Sequence, residues 1–323
     1  MSALIVQTRI ERWPIASVFA ISRGAKTEAV VVVAEISDGK YTGRGECVPY
    51  ARYGESVESV VSLIEVWAGT DQTDLQHTLP AGAARNALDC ALWDLRAKQT
   101  GRPVYELAGL GKPTPLTASY TLSLDAPDKM AEAALGHALM PLLKIKLGRE
   151  GDAARIKAIR RAAPNARLIV DANEGWTAEN ISENLAACKN CGVELVEQPL
   201  PANDDAALAA IPHLLPICAD ESAFDRASLA SLVGKYDAVN IKLDKTGGLT
   251  EALATIAQAR QRGFGLMVGC MVSTSLSIAP AFLAAQQADF ADLDGPFLLA
   301  QDRGGGLCYK DGLIYPPTAD LWG

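Results

Sequence analysis

The chain of 323 residues reads as an α/β protein, a (β/α)8-type barrel (a modified TIM barrel) behind an α+β N-terminal capping domain. Three observations carry that reading. Beyond about residue 113, short apolar runs alternate with helical stretches eight times. The polar residues that close successive runs are nearly evenly spaced: Lys146 to Asp171 is 25 residues, Asp171 to Glu197 is 26, Glu197 to Asp220 is 23 and Asp220 to Lys242 is 22. Such a period fits one strand, one helix and two loops. The first hundred residues follow another order, strands and then helices.

In the N-terminal part, Val30 to Val33 is rich in β-branched residues and runs into the turn signal Asp38-Gly39, which predicts a hairpin into Tyr41 to Cys47. Ala84, Ala87, Leu88, Ala91, Leu92 and Leu95 then recur at helical spacing, and Gly101-Arg102-Pro103 ends that helix. Pro113-Thr114-Pro115 marks a boundary, so the cap is expected over 1–112 and the barrel over 113–306. The barrel strands are expected at Leu116–Leu122, Leu142–Leu147, Arg167–Asp171, Val193–Glu197, Pro216–Asp220, Ala238–Leu243, Leu266–Met271 and Phe290–Asp294. A doubly wound sheet would alternate too, but no glycine-rich first turn is present. Gly304-Gly305-Gly306 reads as a flexible return, and the tail 307–323, with Leu313-Ile314-Tyr315, as packing back on the cap.

Composition narrows the function classes. Apolar residues make up 49% and charged residues 21%, as in globular proteins. Thirty basic against 38 acidic residues leave a net charge of −8, so a nucleic-acid partner is not expected. Apolar runs such as Ala29 to Ala34 fall far short of a membrane span of roughly 20 residues. Arg9, Glu11 and Arg12 interrupt any signal-peptide core. Seven cysteines without framework spacing suit reduced thiols and a cytoplasmic location, and Cys188-Lys-Asn-Cys191 reads as a helix end.

The chemistry follows from which residues close the strands, because a parallel barrel presents its functional groups on the rim at the strands' C-terminal ends. That rim receives Lys144, Lys146, Asp171, Glu197, Asp220, Lys242, Asp292 and Asp294. Three carboxylates from consecutive strands call for a neutralising cation, and an all-oxygen set selects a hard ion, most simply one Mg2+ per subunit. An acidic residue after a strand can instead cap the next helix, which accounts for one of the three but not for a series. Lys144 and Lys146 alternate onto one face, roughly 7 Å apart. At an effective dielectric near 20 their repulsion is about 2 kcal/mol, or about 1.5 pKa units. Lys146 is then partly neutral and able to act as a base, with Lys144 charged and free to hold an anion. Lys242, four strands on, faces the site from the other side, and two bases on opposite faces of one carbon are what inversion of a stereocentre needs. Asp292 and Asp294 share a face and ask for an ammonium partner, although acidic caps on a following helix turn are the other reading.

These residues carry a resemblance. Lys144-x-Lys146, Asp171-Ala-Asn173, Glu197-Gln-Pro199, Asp220-Glu221-Ser222 and Asn240-Ile-Lys242 resemble the enolase superfamily in its muconate-lactonising subgroup, and Ala87 to Leu95 looks like its capping-domain helix. The absence of a histidine at Gly269-Cys270-Met271 departs from the mandelate-racemase subgroup. Asp292-Leu-Asp294 is similar to the motif of dipeptide epimerases, as are Arg44 to Cys47, Arg52 to Ser56 and Lys245 to Leu249. The resemblance implies Mg2+ on Asp171, Glu197 and Asp220, acid/base roles for Lys146 and Lys242, and substrate contacts for Lys144, Asp292, Asp294 and Thr121. It further implies two-base proton transfer through an enediolate, with an L-Ala-D/L-Glu dipeptide as the small-molecule substrate, in murein peptide metabolism. The metal-bound carboxylate belongs to the epimerised residue, so an ammonium one residue away reaches Asp292 and Asp294. The side chain then points at the cap, where Arg23 and the loop Tyr50 to Tyr53 lie; a guanidinium there matches a carboxylate, unless Arg23 is a surface residue. The alternative on this scaffold is an o-succinylbenzoate synthase or muconate cycloisomerase-like lyase, which has no ammonium to bind. A homo-oligomer is compatible with all of this.

Overall fold

The computed structural model describes residues 4–69 and 71–323. The cap begins with a three-stranded antiparallel meander of Ile5–Ile21, Gly24–Ser37 and Thr42–Cys47. Its second turn is the Asp38-Gly39 one: Asp38 Oδ1 accepts the N–H groups of Lys40 and Tyr41, both at 2.8 Å, and Gly39 takes a φ of 91°. The long first strand was not legible as a separate element, because its side chains alternate imperfectly and its register shifts between Pro14 and Phe19. Helices Val57–Val66, Gln72–Thr78 and Ala83–Thr100 follow, the last ending at left-handed Gly101 as expected. This helix lies directly on the third strand. A Cβ at Gly43 or Gly45 would run into the carbonyl oxygens of Ala91 and Ala87, so glycines on one element and alanines on the other permit the approach.

Eight parallel strands form the barrel in sequence order: Ser119–Leu122, Leu142–Lys146, Arg167–Asp171, Val193–Glu197, Ile217–Ala219, Ala238–Ile241, Gly265–Gly269 and Phe290–Asp292. Leu142, Ile169, Leu195, Cys218, Ala238 and Met267 pack as one buried group within it. The first and last strands meet through side chains: Ser119 Oγ donates to Asp292 Oδ1 at 2.9 Å and Thr121 N to Asp294 Oδ2 at 2.7 Å. Two corrections to the expected strands have physical reasons. The run Leu116–Leu122 divides, with Leu116–Thr117 pairing antiparallel to Leu313–Ile314 of the tail, so only Ser119–Leu122 belongs to the barrel. The repeats are also unequal. Helices Pro127–Gly136, Asp152–Ala162, Ile181–Asn190, Leu249–Gln261 and Ser275–Ala285 fill most units, but only 3-10 turns at Ala206–Ala210 and Ser228–Leu232 follow the fourth and fifth strands. The shorter spacings of 23 and 22 residues are those two units.

The tail contacts the cap helix, where Trp322 Nε1 donates to Cys90 O at 3.0 Å and Gly323 N to Asp94 Oδ1 at 3.0 Å. Among the described residues no helix is long and apolar enough to cross a membrane, and all seven cysteines are unpaired.

Candidate active site

Strand alternation puts Lys144 and Lys146 on the inner face while Ile145 joins the outer core. Register then aligns the carboxylates, since Lys146 sits beside Asp171 and Asp171 beside Glu197 on adjacent strands. Asp220 and Lys242 follow the ends of the fifth and sixth strands. Oxygens of Asp171, Glu197 and Asp220 lie within 4.8 Å of one another, and all three residues are buried.

Four ammonium groups surround them. Lys146 Nζ donates to Asp171 Oδ2 at 2.6 Å, and Lys242 Nζ to Asp220 Oδ2 at 2.7 Å. Lys144 Nζ lies 2.6 Å from Glu197 Oε2, 2.7 Å from Asp292 Oδ2 and 3.2 Å from Asp171 Oδ2. The fourth is Lys245, fully buried on Asp220 Oδ1 at 2.5 Å, Asp220 O at 2.6 Å and Asn240 O at 3.0 Å. Sequence reasoning gave Lys245 no role; its signal is a lysine one helical turn after Lys242.

These contacts correct the electrostatics drawn from sequence. The repulsion between Lys144 and Lys146 does not dominate, because Asp171 Oδ2 lies against both ammonium groups. Nor does Lys144 stand unpaired, since three carboxylates hold it. Burial pushes its pKa down, but Asp292, Glu197 and Asp171 outweigh that and hold it well above the usual lysine range. Lys242 is likewise lowered by burial and raised further by Asp220 and Glu197. Asp171 and Asp220 are pushed up by burial, yet Lys146 and Lys144 hold the first, and Lys242 and Lys245 the second, below the usual carboxylate range. Glu197 goes the other way. Burial, followed by the charge of Asp171, pushes it up to about 7 against the pull of Lys144.

The donor set fits a hard cation. Glu197 Oε1 accepts from Asn240 Nδ2 at 2.6 Å, but its Oε2 has no aligned hydrogen bond despite the nearby ammonium. Asn173 Oδ1, Glu221 Oε2 and Asn240 Oδ1 are also buried acceptors without donors. Buried oxygens without donors, beside three converging carboxylates, suit an oxygen-liganded ion such as Mg2+.

The site opens into a cavity of about 730 Å3 between rim and cap. Thr121, Asp292 and Asp294 line the eighth-strand side. Asp292 is not an unpartnered anion, since it holds Lys144 and Ser119. Asp294 occupies the N-cap position of the 3-10 turn Gly295–Leu298, but its side chain makes no cap bond there and accepts from Thr121 instead. Burial first, then the charge of Asp292, pushes Asp294 up to about 6. On the cap side, Arg23 donates to Glu221 Oε1 at 2.7 Å, Asn173 O at 2.9 Å and Glu174 Oε2 at 3.0 Å. Lys26, which sequence reasoning passed over, lies with its Nζ 4.7 Å from the Tyr50 ring centroid. Among the described residues no carboxylate pairs with it. Its place three residues beyond Arg23, just past the same hairpin turn, was the only signal available.

Comparisons with known proteins agree with this geometry. Residues 3–109 match the mandelate racemase / muconate lactonizing enzyme N-terminal domain, and residues 128–320 the enolase C-terminal domain-like family. The chain is 48% identical to the L-Ala-D/L-Glu epimerase of Escherichia coli K12 over 94% of this chain and 97% of that one. It is 46% identical to an N-acetyl-D-glutamate racemase of a Pseudoalteromonas species over 91% and 95%. A crystal structure of an enolase family member from Agrobacterium tumefaciens with homology to dipeptide epimerases, with bound sodium and L-Ala-L-Glu, superposes with a TM-score of 0.97 at 52% identity, covering 99% and 100% of the two chains. A dipeptide epimerase from Enterococcus faecalis complexed with Mg and L-Leu-L-Tyr gives 0.92 at 31%, covering 100% and 99%.

Proposed function

Because the chain belongs to the mandelate racemase / muconate lactonizing enzyme family of the enolase superfamily, we propose that it is an isomerase acting as an L-Ala-D/L-Glu epimerase. It inverts the α-carbon of the C-terminal residue of a dipeptide by moving one proton. The observation that carries the reading is the pair of lysines on opposite strands, Lys146 and Lys242, each bonded to a different carboxylate of the triad.

Asp171, Glu197 and Asp220 would hold Mg2+, which when bound draws the substrate carboxylate and makes the adjacent C–H acidic. Lys146 exchanges a proton with one face of that carbon and Lys242 with the other, so removal by one and return by the other inverts the centre. Lys144 is not a base. Pinned by three carboxylates, it keeps its charge and steadies the anionic end of the substrate. Asp294, with Asp292 behind it, receives the ammonium of the first residue, and Thr121 fixes Asp294 through its backbone N–H. Lys26 meets the γ-carboxylate of glutamate, beside an Arg23 already engaged by Glu174 and Glu221. Seven unpaired cysteines support a reducing cytoplasm as the place of action, with murein-derived peptides as substrates.

One observation favours a second reading, racemisation of an N-acylglutamate. Asp292 is already neutralised by Lys144, which leaves one free carboxylate where two were expected. The lyase alternative is not favoured, because it leaves Asp294 with no ammonium to bind. The deciding experiment incubates the Mg2+-loaded protein in D2O with L-Ala-L-Glu, L-Ala-L-Leu, N-acetyl-D-glutamate and a succinylbenzoate precursor. Deuterium incorporation with loss of optical purity, fastest for L-Ala-L-Glu and abolished by chelator, is expected. Turnover of the precursor alone would overturn the proposal.

A further inference from the structure

We propose that Glu174 is the positioning residue that latches two separate cap loops onto the barrel rim and thereby builds the side-chain end of the pocket. Glu174 stands three residues past Asp171, and its side chain is only 8% exposed. Its carboxylate takes Arg52 through two bonds, Nη2 to Oε1 at 2.7 Å and Nε to Oε2 at 3.0 Å. Arg23 Nη1 reaches Oε2 at 3.0 Å and Ala202 N reaches Oε1 at 2.8 Å. Arg23 lies in the turn between the first two cap strands, and Arg52 in the 3-10 turn Ala51–Tyr53. One carboxylate thus joins both cap loops to the rim loops after the third and fourth barrel strands. A two-pronged bond from Arg52 to a carboxylate as buried as Glu174 is stronger than a single bond between two exposed side chains.

The backbone is shaped for the task. Asn173 and Glu174 take φ values of 45° and 64°, consecutive left-handed residues that are not glycine. Four bonds hold them there. Asn173 N donates to Asp171 Oδ1 at 2.9 Å and Glu174 N to Gln198 O at 2.9 Å. Asn173 O accepts Ser22 Oγ at 2.7 Å and Arg23 Nη1 at 2.9 Å. The same short stretch therefore touches a carboxylate of the triad at one end and carries the latch at the other. Arg23 and Arg52 are offset by Glu174 and Glu221, so the latch adds no net charge and leaves Lys26 as the cation of that subsite. Opening it frees Arg52 and takes one of three side-chain bonds from Arg23, loosening the two loops that bring Arg23, Tyr50 and Tyr53 to the cavity.

The choice of substrate in the test rests on the epimerase reading, whereas the closure itself does not. Hydrogen exchange on the Mg2+-loaded protein is compared for wild type, Glu174→Gln, Arg52→Met and the double variant, alongside kcat and KM for L-Ala-L-Glu. Glu174→Gln keeps the side chain's shape and removes its charge; Arg52→Met breaks the same contact from a partly exposed residue. Residues 19–27 and 49–56 should exchange about tenfold faster or more, with the barrel strands unchanged. KM should rise about tenfold with kcat within about threefold, and the double variant should be no worse than the worse single one. Unchanged exchange in both segments, additive effects, or a fall in kcat at constant KM would overturn the latch. Unchanged exchange with normal wild-type turnover leaves the epimerase standing; faster exchange in a protein inactive on dipeptides does the reverse.

Discussion

Replacing Asp294 by Asn should separate substrates that carry an ammonium from those that do not. The two aspartates of the eighth strand are not equivalent. Asp292 already receives Lys144 Nζ at 2.7 Å and Ser119 Oγ at 2.9 Å, whereas Asp294 receives Thr121 N at 2.7 Å and, among the described residues, no ammonium. On the proposed reading, the dipeptide ammonium therefore pairs with Asp294. Unit charges about 4 Å apart at an effective dielectric near 20 attract by about 4 kcal/mol before desolvation is subtracted. Net hydrogen bonds to charged groups contribute about 1.5–3 kcal/mol, and that range governs because both partners leave water. Hence kcat/KM for L-Ala-L-Glu should fall about 10- to 150-fold, while that for N-acetylglutamate should hold or rise, because the charge removed is one its own anion faced. With Asp294 raised to about 6 by burial and by Asp292, its charge is present above that pH and lost below it. The wild-type KM for the dipeptide should accordingly rise as pH falls from 7.5 to 5.5, and that for the N-acyl substrate should not. The assay is α-proton exchange in D2O, read by mass, for both substrates across this range. An Asn variant with unchanged substrate ranking and unchanged pH profiles would refute the assignment.

Lys242→Ala should stop interconversion, by about 10²–10⁴-fold, yet still exchange the α-proton of one epimer, and Lys146→Ala should spare the other; near wild-type conversion of both epimers by Lys242→Ala, followed by NMR, sinks the two-base reading. Lys26→Met should lower the rate on L-Ala-L-Glu relative to L-Ala-L-Leu by about tenfold or more, and by more than Arg23→Met does; an unchanged ratio in kinetic competition returns the subsite to Arg23. Burial pushes Asp244 up to about 7 against the hydrogen bonds from Val48 N and Asn86, so its contribution to stability is complete at low pH and lost as pH rises through about 7. Asp244→Asn should gain about 3 kcal/mol relative to wild type between pH 5 and pH 8 in urea unfolding, and parallel curves would exclude the effect.

Much of this site is legible in the sequence because a strand writes its chemistry locally. An apolar run that stops at a charged residue marks a strand end, and i, i+2 spacing places Lys144 and Lys146 on one face. Partners across the sheet are not written that way. Seen along the chain, the two lysines repel each other; seen across it, Asp171 lies between them and Glu197 and Asp292 complete the set. Lys245 was missed for the same reason, since its acceptors are a side chain and carbonyls of two other strand ends. The division of Leu116–Leu122 left no signal because both halves are extended and no turn residue separates them. Arg23 was legible as a cap arginine facing the substrate side chain, but its engagement by Glu174 and Glu221 depends on loops some 150 and 200 residues away.

Charge counting at the site favours an acidic substrate with one positive end. Lys144, Lys146, Lys242 and Lys245 are matched by Asp171, Glu197, Asp220 and Asp292. Around them, Arg23 and Arg52 are matched by Glu174 and Glu221, and Lys26 by Asp294 at the far end of the cavity. These groups cancel with every lysine protonated; Glu55, which also lines the cavity, accepts only the N–H groups of Tyr50 and Ala83, and burial pushes its carboxyl toward the neutral form. A divalent ion adds two positive charges, and a lysine acting as base must first give up one. The remaining single positive charge is met by L-Ala-L-Glu, whose two carboxylates and one ammonium sum to a single negative charge. An N-acylglutamate carries two negative charges, so it balances the site only when Asp294 holds a proton, below about pH 6. An uncompensated charge in a buried site is costly, and the pH at which the two substrate classes exchange rank is therefore set by Asp294.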